Sequence, residues 1–385
     1  MSRRKKRSRT WGTGTAYLRA DGRWMAQMFV TESITGRRVR RAVYGKTEDE
    51  VETKLRELRD RESQGAPIAP AALTVESYLR EWLSQIVSVR VRANTLAHYK
   101  FQVDKYLAPD LGKKSLGRLT AREIRMYLEQ LRNQGAGPRT VQYVHATLRA
   151  ALEDAVREEI IPRNVAKLVR VPAPPKTERE PFTVDEVRTL LKSSRDDRLY
   201  AMFVVFALLG MRRSEVLGLR WEDVDLVNGS VQVRRGLQRI DGELKVLPTK
   251  TARSRRTVPL PELVTRALET HLGAQERERA QLGTRWPDLA YVFTTPIGTP
   301  IDPRNCTRVV QEACKAAGLR VVRLHDFRHG CVSVLLSLGV PPRTTMDIVG
   351  HSTLEMTMNV YGHVSLTHKR AAMDQLGKLL DEDGE

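Results

Sequence analysis

Histidine and arginine stand three apart in the segment His325-Asp326-Phe327-Arg328-His329. On a helix such a pair shares one face, so His325 and Arg328 can converge on a single anion. The same segment sets His325 and His329 four apart, a spacing open to a metal, but no acidic third ligand follows in a recognisable pattern. His329 therefore reads as structural. Arginines recur at Arg212 and Arg213, after Gly210 at the start of a helical stretch, and Lys250 lies within Thr249-Lys250-Thr251. A guanidinium offers paired N–H donors that match phosphate oxygens, a fit that lysine does not reproduce. Tyr361 follows His351 by ten residues. Its phenol, with an ordinary pKa of about 10, needs a cationic site or a base to become a nucleophile at neutral pH. Taken singly, each has a plainer reading: Arg212 and Arg213 as surface charges at a helix start, Lys250 as an exposed turn lysine, Tyr361 as a core aromatic. Glu215, close to both arginines, fits a role in ordering the local network.

Such groups need a scaffold, and 385 residues point to two or three domains rather than one core. With 41% hydrophobic and 29% charged residues the chain is globular rather than disordered. Lys and Arg number 65 against 46 Asp and Glu, a formal charge of +19. That surplus attracts a polyanion, with nucleic acid as the leading partner. A membrane surface is the competing one, but no stretch reaches the ~20 apolar residues of a spanning helix, and the start of the chain lacks the apolar region of a signal peptide. Cys306, Cys314 and Cys331 form neither a disulfide framework nor a C-x-x-C zinc spacing, which places the protein in a reducing cytoplasm.

Residues 1–65 form a small basic unit with 17 Lys and Arg against 9 Asp and Glu. Its first residues, 2–9, are almost all charge and read as a solvated tail in the free protein and a phosphate-binding arm on DNA. Stretches 16–19 and 23–30, joined by Asp21-Gly22, and 37–44 after Gly36 read as strands, followed by a helix over 47–61. Gly12 and Gly14 lack the βαβ context of a nucleotide loop. A linker at 64–70 leads to a helical domain at 71–170. There, Tyr78, Leu79, Trp82 and Leu83 line one helix face, and Thr120-x-x-Glu123 forms a capping box ahead of Ile124, Tyr127, Leu128 and Leu131. A third helix, over about 140–158, turns Val141, Val144, Leu148 and Leu152 inward. The aromatics among these read as core rather than as base-stacking surfaces. A stiff Pro-rich linker at 171–176 precedes the largest domain, 181–385. It opens on the capping box Thr183-x-x-Glu186 and contains a buried apolar helix at 199–209. Stretches 230–235, 243–247 and 256–260 then alternate as an antiparallel sheet with one solvated face, and the remainder is mainly helical.

Four segments of this last domain resemble, in order, the active-site boxes of the tyrosine recombinase (phage-type integrase) family. They are Leu209-Gly210-Met211-Arg212-Arg213-Ser214-Glu215, the Thr249-Lys250-Thr251 stretch running on to Leu260, His325-x-x-Arg328, and Gly350-His351-Ser352 with Tyr361. The resemblance implies catalytic roles for Arg212, Lys250, His325, Arg328, His351 and Tyr361, and no cofactor or metal. It implies that Tyr361 becomes linked to a 3′ phosphate and releases a 5′ hydroxyl, so that strands are cut and rejoined to integrate or excise a mobile element. Leu209 stands where the family often has Thr, and Gly330 where it often has a small hydroxyl residue. Neither replaces a catalytic group.

The implied fold is multidomain and mainly α with small antiparallel sheets: an N-terminal three-stranded sheet plus helix binding arm-type sites, a helical core-binding domain, and an α+β catalytic domain. Implied partners are double-stranded DNA at core and arm sites and three further protomers in a tetrameric synapse. A host bending protein and a directionality factor complete the set. Met373, Leu376, Leu379 and Leu380 in the tail form an apolar stripe that packs on its own domain or docks on a neighbouring protomer. Two other readings of a basic helical chain are a type IB-like topoisomerase, which the arm-like module disfavours, and a non-enzymatic DNA-binding protein, which would have no reason to keep all six residues.

Overall fold

The structure, a computed structural model, describes residues 16–32, 36–63, 65, 73–173, 180–249, 254–351 and 353–355. The chain divides into two compact units, one ending at Thr177 and the other starting at Glu178. The basic tail at 2–9, the Gly12/Gly14 pair, Lys250, Tyr361 and the apolar stripe of the tail lie outside the described residues.

In the first unit, β1 (Tyr17–Leu18), β2 (Trp24–Thr31) and β3 (Arg38–Gly45) form an antiparallel sheet in that order. Its β2–β3 register runs from Trp24 opposite Gly45 to Thr31 opposite Arg38. Alternation at period two sends Ala26, Met28 and Val30 to one face, where they cover Val51 and Leu55 of α1 (Glu48–Ser63). A separate, larger cluster fills the helical part. There α2 (Val75–Glu81) runs through a π-helical stretch at Trp82–Val87 into α3 (Ser88–Arg90). Likewise α4 (Ala93–Gln102) passes through Val103–Leu107 into α5 (Ala108–Leu111). The Thr120/Glu123 box closes reciprocally at the start of α6 (Ala121–Asn133), and α7 (Pro138–Arg157) buries Val141, Val144, Leu148 and Leu152. Buried aromatics find polar partners, as buried Trp and Tyr must: Trp82 Nε1 donates to Asp154 at 2.8 Å and Tyr78 OH to the Ala151 carbonyl at 3.1 Å.

In the second unit α8 (Val184–Ser193) starts on the Thr183/Glu186 box, and α9 (Tyr200–Leu209), apolar on nearly every side, runs through the core. After α10 (Arg213–Leu217) come β4 (Val224–Asp225) and β5 (Ser230–Val233), then β6 (Arg235–Ile240), β7 (Glu243–Pro248) and β8 (Arg256–Pro259). The single sheet expected from the alternation is two. The stretch 230–235 breaks at Arg234, so that β5 pairs with β4 and β8 while β6 and β7 form their own hairpin. The break brings Gly236 of β6 against Gly218, where a Cβ would lie 2.8 Å from the Gly236 Cα, and this seats the hairpin against the end of α10. Then follow α11 (Glu262–Leu282), α12 (Pro303–Ala316), α13 (Leu324–Ser337) and α14 (Pro342–Val349), with α11 and α13 packed on α9. Among the described residues no helix is long and apolar enough to cross a membrane.

Candidate active site

Gly210 ends α9 in the left-handed conformation, φ +56°, which glycine adopts without the steric cost other residues incur. A side chain there would also press on Cys331 and Val349. The turn buries Met211 and delivers Arg212 as the residue capping α10. Arg212 Nη1 donates to Glu215 Oε1 at 2.7 Å and Nη2 to the Gly350 carbonyl at 2.6 Å, while its backbone N–H donates to Glu215 Oε2 at 3.0 Å. Glu215, only 4% exposed, thus orders a network, as its position in the sequence suggests. Arg213 points elsewhere, to Thr307 Oγ1 and the Pro303 carbonyl.

The helix α13 carries the His-x-x-Arg pair. Arg328 is 1% exposed. Its Nη1 donates to the Gly210 carbonyl at 2.8 Å and its Nε to His351 Nε2 at 3.2 Å, whereas Nη2 is buried with no hydrogen-bond partner among the described residues. A buried guanidinium N–H without an acceptor is costly, and a phosphate oxygen would supply one. His351 comes into place because α14 ends on Gly350, again left-handed at φ +71°, with the His351 N–H returning to the Met346 carbonyl. His325 is exposed at the rim and stacks edge-on with His329, ring centroids 4.6 Å apart. Among the described residues no third His, Cys, Asp or Glu joins these two to hold a metal.

The site is charged, and its titration follows. Burial lowers the Arg328 pKa to about 9, with Arg212 adding to the effect, and the group stays cationic at neutral pH. Burial, then Arg328 and Arg212, pull His351 down to about 3. His325 falls to about 4, through desolvation and then His329, Arg328 and Arg212, even though part of the residue faces solvent. Both imidazoles are therefore neutral in the free site at pH 7. Burial on its own would raise the Glu215 carboxyl, but Arg256 and Arg212 outweigh it and hold the group below its ordinary range.

Of the six residues singled out in the sequence, Arg212, His325, Arg328 and His351 come together. Lys250 and Tyr361 lie outside the described residues. One group was not singled out. Arg256, its side chain 6% exposed, donates from Nη2 to Glu215 Oε2 at 3.1 Å, from Nε to the Ile348 carbonyl at 2.7 Å and from Nη1 to the Ser254 carbonyl at 3.2 Å. The hint in the sequence is that Arg256 stands in step, at period two, with the buried Val258 and Leu260. The departure at Gly330 also has a cause, since a Cβ there would sit 2.6 Å from the Phe182 carbonyl, so α13 can pack this closely only on glycine.

The described residues thus place Arg212, Arg328 and His351 around one buried cationic pocket, and comparison with known proteins supplies the family. The phage integrase family profile matches residues 180–368, and the profile of the phage integrase N-terminal SAM-like domain matches residues 74–132. An integrase of Streptomyces ambofaciens is 31% identical over 371 residues, covering 93% of both chains. A XerC-like tyrosine recombinase of Caldanaerobacter subterraneus subsp. tengcongensis is 27% identical over 89% of this chain and 93% of its own. In structure, the Tn1549 transposon integrase bound to transposon right-end DNA aligns with a TM-score of 0.67 at 21% identity, over 79% of this chain and all of that one. Lambda integrase, as a dimer on a core site, aligns at 0.55 and 18% identity over 93% of this chain and 96% of its own. The chain belongs to the phage integrase family of tyrosine recombinases. It is a site-specific recombinase, an enzyme that cleaves and rejoins DNA, and neither a topoisomerase nor a non-enzymatic DNA binder is favoured.

Proposed function

We propose that Tyr361 attacks the scissile phosphodiester, forming a phosphorus–oxygen bond to the phenol and breaking the bond to the 5′ oxygen, which leaves a 3′-phosphotyrosine. Arg212 and Arg328 bind the non-bridging oxygens, where negative charge accumulates, and His351 adds a hydrogen bond. Electrostatic stabilisation of this kind is usually the largest catalytic term, roughly 10²–10³ in rate for one donor. Neutral His325 takes up the phenolic proton, and Lys250 protonates the departing 5′ oxygen. Attack by the free 5′ hydroxyl of a second duplex reverses these steps and rejoins the strand, so no external energy source is required. The observation that carries this reading is the buried Nη2 of Arg328, without a partner among the described residues, beside Arg212 and His351.

In this reading residues 1–65 bind arm-type DNA, 71–170 grip the core site and 181–385 carry the chemistry. The separate apolar clusters support the division. The DNA is double-stranded and the working assembly a tetramer in the bacterial cytoplasm, on nucleoid DNA, joined by a host bending protein and a directionality factor. Lambda integrase, alike in fold, has been crystallised as a tetramer on a Holliday junction. The test uses full-length protein and a nicked duplex carrying its own core site, in excess chelator. Covalent protein–DNA adduct should accumulate because the short 5′-hydroxyl fragment between the cleavage point and the nick diffuses away and cannot reverse the attack. Cleavage that appears only when magnesium is restored would refute the reading.

A further inference from the structure

We infer that Arg256 is a positioning residue for strand cleavage that acts through Arg212: it divides Glu215 between two arginines so that Arg212 is aimed at the phosphate, while its other donors anchor it to the Ser254 and Ile348 carbonyls. The inference rests on the site reading above. Glu215 has two oxygens and three donors. Oε1 accepts from Arg212 Nη1, and Oε2 accepts from Arg256 Nη2 and the Arg212 backbone N–H. A carboxylate facing one guanidinium alone pairs with it through both oxygens in parallel. Arg256 occupies Oε2, which holds Arg212 to a single side-chain contact with Glu215 and leaves its Nη2 on the Gly350 carbonyl. The remaining donors of Arg256 act on the main chain. One holds the Ser254 carbonyl, four residues past Lys250, and the other the Ile348 carbonyl, three residues before His351.

Gly350 belongs to the same device. Its left-handed backbone has no Cβ, and one built there would lie 2.8 Å from Arg256 Nη1. The guanidinium occupies the space that any side chain immediately before His351 would need. Only a planar fork with donors on three nitrogens makes all three contacts, so lysine keeps the charge and loses the geometry.

The experiment is a double-mutant cycle on single-turnover cleavage of the nicked core site, with full-length wild type, Arg256→Lys, Arg212→Lys and the double variant, alongside Kd for the uncut duplex. Arg256→Lys should cleave slower by on the order of 10- to 100-fold, the cost of a small misplacement of a catalytic group, with Kd unchanged. If Arg256 acts through Arg212, the double variant cleaves no slower than Arg212→Lys alone. Multiplied defects, or a wild-type rate for Arg256→Lys, would overturn the inference. A wild-type rate for Arg212→Lys would instead overturn the site reading beneath it. Should Arg256→Lys fail to fold, Arg256→Gln, which keeps a donor for Glu215 without the fork, is put through the same cycle with Arg212→Lys and decides in the same way.

Discussion

His351 is 3% exposed and titrates near 3, and its Nε2 accepts a hydrogen bond from Arg328 Nε. Protonating that nitrogen would remove the acceptor and place a cation against a guanidinium. The native pKa is depressed relative to the unfolded value of about 6.5, so the stabilisation is fully present above pH 6.5 and is lost as pH falls towards about 3. At pH 5 the unfolded imidazole is almost fully charged and the native one almost fully neutral, which amounts to about 2 kcal/mol lost relative to neutral pH. His351→Gln retains an acceptor for Arg328 and cannot titrate, so the wild type should lose about 2 kcal/mol more than the variant between pH 7.5 and pH 5. Two measurements on the full chain check this: the histidine Cε1 proton titration by NMR, and the opening free energy of the Tyr200–Leu209 helix by amide hydrogen exchange. Bound DNA should raise the His351 pKa, because a buried phosphate favours the imidazolium. A His351 titrating near 6.5 in the free protein, or equal acid losses in wild type and variant, would refute the reasoning.

Lys250→Ala should cleave ordinary DNA slower by roughly 10²–10⁴, the loss expected for a general acid, yet cleave near the wild-type rate when sulfur replaces the bridging 5′ oxygen, because a thiolate leaves without protonation. Arg212→Ala should show no such rescue, and equal Lys250→Ala defects on both substrates would make Lys250 a phosphate clamp instead. Deleting residues 1–65 should abolish a footprint on arm-type DNA while cleavage of a short core site persists; an unchanged footprint would reduce the module to a packing role. Gly330→Ser, which forces a Cβ against the Phe182 carbonyl, should lower stability by about 1–3 kcal/mol through overpacking, read as a shift in the denaturant midpoint, and an unchanged midpoint would show that α13 moves freely.

Where local rules govern, the sequence was legible. The boxes Thr120/Glu123 and Thr183/Glu186 start helices as expected, because capping is settled within four consecutive residues, and the inward stripe of the Pro138–Arg157 helix follows from periodicity. The Ala93–Gln102 helix carries Asn94, Thr95, His98 and Lys100 and has no apolar stripe to mark it. At Arg234 the alternation continues while the pairing changes, since the partner of a strand is a long-range choice that its own pattern does not encode. Within the site, the resemblance of the boxes to the tyrosine recombinase family led to Arg212, His325, Arg328 and His351, of which spacing alone marked only the pair His325 and Arg328. Arg256 escaped because its carboxylate partner Glu215 and the Ile348 carbonyl lie far along the chain, and being in step with Val258 and Leu260 is too weak a mark to single out an arginine.

If the cationic pocket serves the phenol of Tyr361, the bond to DNA forms on that residue. The most direct test traps the covalent adduct on a nicked core site, digests it and locates the modified residue by mass spectrometry. A nucleotide phosphodiester is expected on the peptide containing Tyr361, and for Tyr361→Phe an intact footprint with no adduct. An adduct on any other residue, or one that survives denaturant in the Phe variant, would contradict that role.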